Sequence, residues 1–162
     1  MVEEESGLDV LKKEYEKLEK EHELPDFDFL NQNFEIESIS AEDTDFLLRK
    51  IRKHILDRVS SGLRTLEMFI NPQTAPLFII NIIKSFSQTD KDVIQELYNK
   101  FAEFEIDAFG VENGYNEEKE IELIKNVSKA WPEVLEDFNM IYKSMKVNYK
   151  KESKRNAKSY LG

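Results

Sequence analysis

The chain has no cysteine among its 162 residues. That single absence removes disulfides, thiolate metal sites, iron–sulfur clusters and a cysteine nucleophile. Histidine is nearly as scarce, with two copies, His22 and His54. Glycine and proline number 5 and 4. All-β folds and α/β nucleotide folds draw on both residues for their many tight turns. Their scarcity here points to long helices joined by few loops. Long apolar runs are missing as well. The most apolar stretch, "PLFIINIIKSF", meets Lys84 after about ten residues, where a membrane span needs roughly twenty. The opening "MVEEESGLDV" is acidic and lacks the basic-then-apolar plan of a signal peptide. The expectation is a cytoplasmic protein with no membrane partner.

What is present favours helices. Hydrophobic residues reach 40% and charged residues 35%, the latter mostly Glu and Lys, which suits a folded chain with charged helical outer faces. Leu8, Leu11, Tyr15, Leu18 and His22 repeat at steps of three and four, giving an amphipathic helix that ends near Leu24-Pro25. Pro25 to Ser40 reads as a linker with one short helical turn, too rich in Phe27, Phe29, Leu30, Phe34 and Ile36 to hang free. Ser40 and Asp43 form an acidic capping box that opens a helix from Ala41 to about Ile70. The segment "NPQTAP" stops it, and Thr74 caps the next helix, whose apolar residues face nearly all round and predict burial. Thr89 caps a further helix, with Val93, Ile94, Leu97, Tyr98, Phe101, Phe104 and Ile106 inward and Gly110 as its stop. Asn116 caps the last helical region, which Pro132 kinks or divides. Val134, Leu135, Phe138, Ile141, Tyr142 and Met145 carry the inward pattern onward.

These patterns predict an all-α, single-domain helical bundle of five to seven helices. Residues 1–24 form an N-terminal amphipathic helix, residues 25–147 the bundle core of the same domain, and residues 148–162 a flexible basic C-terminal tail.

Charge is unevenly distributed. The formal net charge is −10, yet segments alternate: residues 1–45 carry −12, residues 46–84 carry +5, residues 85–142 carry −9 and residues 143–162 carry +6. Side-by-side acidic and basic helices explain such alternation by mutual pairing. An anionic partner at one of the basic segments is the sharper explanation. On a helical wheel the stretch "LLRKIRKHILDRVSSGLR" places Arg49, Lys50, Lys53, His54 and Arg64 opposite the apolar arc of Leu48, Ile51, Ile55 and Val59. Arg52 and Arg58 fall within or beside the apolar arc and are candidate buried arginines. Each then needs carboxylate or carbonyl acceptors, because an unpaired buried charge costs several kcal/mol.

Reactive chemistry is hard to assemble from these residues. The chain has no HExxH, no glycine-rich phosphate loop and no GxSxG. Glu19 and His22 make one E-x-x-H pair, and a di-iron bundle needs two plus further glutamates. Asp107, Glu112, Asn113, Asn116 and Glu118 do not fit the spacing of a calcium loop. The expectation is therefore no catalytic, cofactor-binding or metal-binding residue. The function expected is that of a non-enzymatic helical interaction module, an adaptor or complex subunit that binds another protein or itself. The alternative is a nucleic-acid-associated protein using Arg49, Lys50, Lys53 and Arg64 on the basic face of the 41–70 helix. Lys150, Lys151, Lys154 and Arg155 of the tail would join them, where basic groups sit among Tyr149 and Tyr160.

Overall fold

The computed structural model describes residues 6–40 and 44–159. Among them are six α-helices, two short 3-10 turns and no strand, an all-α helical bundle. The helices are α1 (Gly7–His22), α2 (Phe27–Phe34), α3 (Leu47–Ile70), α4 (Leu77–Lys84), α5 (Gln88–Glu112) and α6 (Glu117–Ser159). The chain divides into two compact units, and α3, α5 and α6 contribute residues to both.

The first unit comprises residues 1–59 and 104–130. Its α1 starts at Ser6, whose hydroxyl accepts the Asp9 N–H at 3.3 Å and donates to the Asp9 carboxylate at 2.8 Å, satisfying an otherwise orphaned helix donor. Leu11 and Tyr15 are its buried residues. The Tyr15 ring meets Phe27 edge-on at 5.8 Å, and its hydroxyl donates to the Pro25 carbonyl. Burial, reinforced by Glu19 and Asp26, raises the pKa of that phenol. The expected linker is a two-turn helix: Asp26 caps α2 through the Phe29 N–H at 2.7 Å. Phe27, Leu30, Phe34 and Ile36 are buried and Phe29 is half-buried.

Helix α3 begins at Leu47 rather than Ala41. Phe46 has φ 53°, a left-handed conformation that no right-handed helix can pass through. Asp43, and with it the expected capping box to Ser40, lies outside the described residues.

The second unit comprises residues 60–103 and 131–162. Phe101 stacks on Trp131 with ring centroids 6.0 Å apart and planes 6° from parallel. Gly62 is required here: a methyl group at that position would collide with the fully buried Phe101 ring, which has no room to retreat. Asp90, not Thr89, anchors the start of α5. Its carboxylate accepts the Ser87 N–H and hydroxyl, both at 2.8 Å, and the Ser144 hydroxyl of α6 at 2.7 Å. Burial alone would raise that carboxyl, but these hydrogen bonds outweigh it and hold its pKa below the usual value.

Four further local expectations change. Helix α4 follows Pro76 without a side-chain cap, and Thr74 belongs to the preceding 3-10 turn. It buries Ile79 and Ile82 only, leaving Leu77 and Phe78 exposed. Helix α5 runs through Gly110 to Glu112, because a helix interior tolerates glycine at a cost near 1 kcal/mol, and Ile106 points outward. Helix α6 continues through Pro132 rather than dividing there, and runs to Ser159.

Candidate functional site

The basic helix proves to be occupied in its first half. Arg52 is 2% exposed, and its Nε donates to the fully buried Glu120 carboxylate at 2.6 Å. Its Nη1 lies 3.6 Å from Glu112. Arg49 Nε stands 3.6 Å from the other Glu120 oxygen. The Arg49 guanidinium also lies 5.1 Å from the Tyr115 ring and 5.8 Å from Phe46, whose rings meet edge-on at 4.9 Å. Burial raises the Tyr115 hydroxyl pKa, with Glu117 and Glu120 adding to the rise and Arg49 opposing it. This is a structural ion cluster inside the first unit, with its positive charge already met by carboxylates.

The other basic candidates are scattered. Lys50 is half-buried and Lys53 exposed. Arg58 is exposed rather than buried, so the helical-wheel placement is corrected; it lies at the wheel's edge, where the arginine stem can reach water. Arg52 has the carboxylate acceptor that a buried arginine needs. Arg64 lines a polar cleft of about 630 Å³ in the second unit together with Glu67, Asn71 and Tyr98. Lys150, Lys151, Lys154 and Arg155 are all exposed on α6, with Arg155 Nη1 3.4 Å from Glu152.

No grouping of three or more His, Asp or Glu side chains among the described residues could hold a metal ion. His22 lies 3.6 Å from Glu117 and does not pair with Glu19. Asp107 and Glu112 sit on α5, Asn113 and Gly114 lie in the short loop after it, and Asn116 caps α6 through the Lys119 N–H at 3.0 Å, as its sequence position predicts. No described helix is long and apolar enough to cross a membrane.

The feature that the sequence did not single out is an apolar groove in the second unit. Phe78 and Ile82 of α4 face Tyr142, Met145, Lys146 and Tyr149 of α6 across about 600 Å³. Phe78, Tyr142 and Tyr149 are each more than half exposed, and Leu77 beside them is 74% exposed. Tyr142, Met145 and Tyr149 repeat at i, i+3 and i+7, so two turns of α6 present one apolar stripe roughly 10 Å long. Lys146 lies 5.5 Å from the Tyr142 ring. Lys143 and Lys150 flank it at helical spacing, all three exposed, so a basic edge runs along the solvent side of the groove. Two signals could have revealed this. An eight-residue helix apolar all round offers more surface than one contact can cover, and Tyr142-x-x-x-Lys146-x-x-Tyr149 alternates ring and charge along one face.

No protein-family model, curated protein or solved structure matches this chain.

Proposed function

We propose that this protein is a non-enzymatic helical interaction module that docks an amphipathic helix of a partner protein into the α4/α6 groove, with acidic side chains of the partner along the lysine edge. The observation that carries the proposal is the groove itself: an aliphatic and aromatic floor, open to solvent, with Lys146 beside the Tyr142 ring. Exposed apolar surface of this kind marks interaction sites on soluble folds, and a two-turn stripe suits a helix that inserts residues at i, i+3, i+4 and i+7.

Magnitudes favour protein over nucleic acid as the occupant. Covering a large apolar side chain is worth about 1.5–3 kcal/mol, whereas an exposed ion pair contributes about 0–1 kcal/mol. The floor therefore sets affinity, and Lys143, Lys146 and Lys150 set orientation and encounter rate. A nucleic acid would use the lysines and leave the exposed apolar surface of Leu77 and Phe78 uncovered.

The test compares wild type with Phe78→Asp/Tyr142→Glu in pull-downs from the native host, each divided and half treated with nuclease. Both substituted residues are more than half exposed, so the variant is expected to keep the wild-type circular dichroism and melting curve. A protein recovered stoichiometrically with wild type, insensitive to nuclease and lost from the variant, supports docking in the groove. Partners that vanish with nuclease would transfer the function to the basic face at Lys150, Lys151, Lys154 and Arg155. Retention of the same partner by the variant would remove the groove from consideration.

A further inference from the structure

We infer that the helix docked in the α4/α6 groove is α5 of a second copy of this chain, presented through Ile106 and Phe109. This rests on the docking proposal above and names its partner. Ile106 and Phe109 are 71% and 72% exposed and stand three residues apart, so they share one face of α5. Apart from its chain neighbours and its own helix backbone, nothing comes within 4 Å of where a Gly110 Cβ would lie, which leaves a low point on that face where an incoming ring can approach the helix backbone.

The charges around the two apolar surfaces are complementary. Asp107 of α5 is exposed, and with Glu122 it lines a cleft of about 270 Å³ beside Ile106 and Gly110. Lys119 is the basic exception in that cleft. Asp107 and Glu122 put an acidic edge on the apolar α5 face, and Lys143, Lys146 and Lys150 put a basic edge on the groove. Each surface has the chemistry that the other lacks. The contact is heterologous, joining two different patches, so a copy with one patch spoiled still offers the other.

That asymmetry gives the test. Sedimentation velocity is run on wild type, on Phe78→Asp/Tyr142→Glu, on Ile106→Asp/Phe109→Asp, and on an equimolar mixture of the two variants. Wild type is expected to sediment above monomer mass with rising concentration, a species that persists at high salt because the apolar floor sets its affinity. Each variant alone remains monomeric, and the mixture forms a one-to-one pair. Two results overturn the inference: a wild type monomeric throughout, or variants that self-associate like wild type. The docking proposal itself is judged separately by the pull-down. Loss of a different protein from the groove variant, with a monomeric wild type, keeps the groove and rejects the second copy as its occupant.

Discussion

Glu120 and Arg52 show how one buried pair can organise the surroundings of a helix start. The Glu120 carboxylate is wholly enclosed and accepts Arg52 Nε at 2.6 Å while Arg49 stands at its other oxygen. Removing one partner strands the remaining charge, so Glu120→Ala is expected to cost about 3–5 kcal/mol in urea unfolding. The double change Arg52→Met/Glu120→Leu removes both charges, and its stability is expected near that of wild type. A double variant as unstable as the single one would count against this explanation. Asp90 offers a second residue-scale check with a pH signature. Its folded pKa is depressed by hydrogen bonds from Ser144 and Ser87 against the opposing effect of burial. The stabilisation is therefore complete above the ordinary carboxylate pKa and is lost as pH falls through the lower folded value. Ser144→Ala is expected to lose about 1.5–3 kcal/mol at neutral pH. That deficit narrows on acidification until both forms hold a protonated Asp90. A deficit constant with pH would contradict the assignment.

At the scale of elements, α1 and α2 both end on a non-glycine residue in the left-handed region, Glu23 at φ 53° and Glu35 at φ 57°. Glycine adopts this conformation without the Cβ penalty of roughly 1–2 kcal/mol, offset in part by its greater freedom when unfolded. Glu23→Gly is accordingly expected to stabilise by about 0.5–1 kcal/mol, read as a rise in melting temperature; a fall would show that the strain is absent. These positions also explain what the sequence could convey. Apolar spacing revealed α1, α3, α5 and α6, because a helix face buried along its length leaves a period in the residues. Arg52 was legible for the same reason, as a charge on the apolar arc. The partner Glu120 was not, since in a chain with 33 acidic residues one more glutamate stands out only when a tertiary contact buries it. The exposed sides of α4, of α5 at Ile106 and of α6 at Tyr142 were misjudged by the same logic. Periodicity identifies an apolar face but not whether another element of the same molecule covers it.

For the whole molecule, the pattern of net acidity with local basic segments acquires two distinct explanations. In the first half of α3 the cations of Arg49 and Arg52 are met internally by Glu120. Along α6, Lys143, Lys146 and Lys150 are exposed beside an apolar groove, and we assign them to a partner. The claim on which the account depends is that this groove is a docking surface. Its most direct test is site-specific photo-crosslinking in native-host cells, with the reactive side chain at Phe78 and, as control, at Asn99 on the exposed side of α5. The account predicts a crosslinked peptide from the Phe78 position, carrying apolar residues at helical spacing with acidic neighbours. It is absent from the Asn99 control and lost when Tyr142→Glu is added. Crosslinks to nucleotides, or the same peptides from both positions, would contradict it.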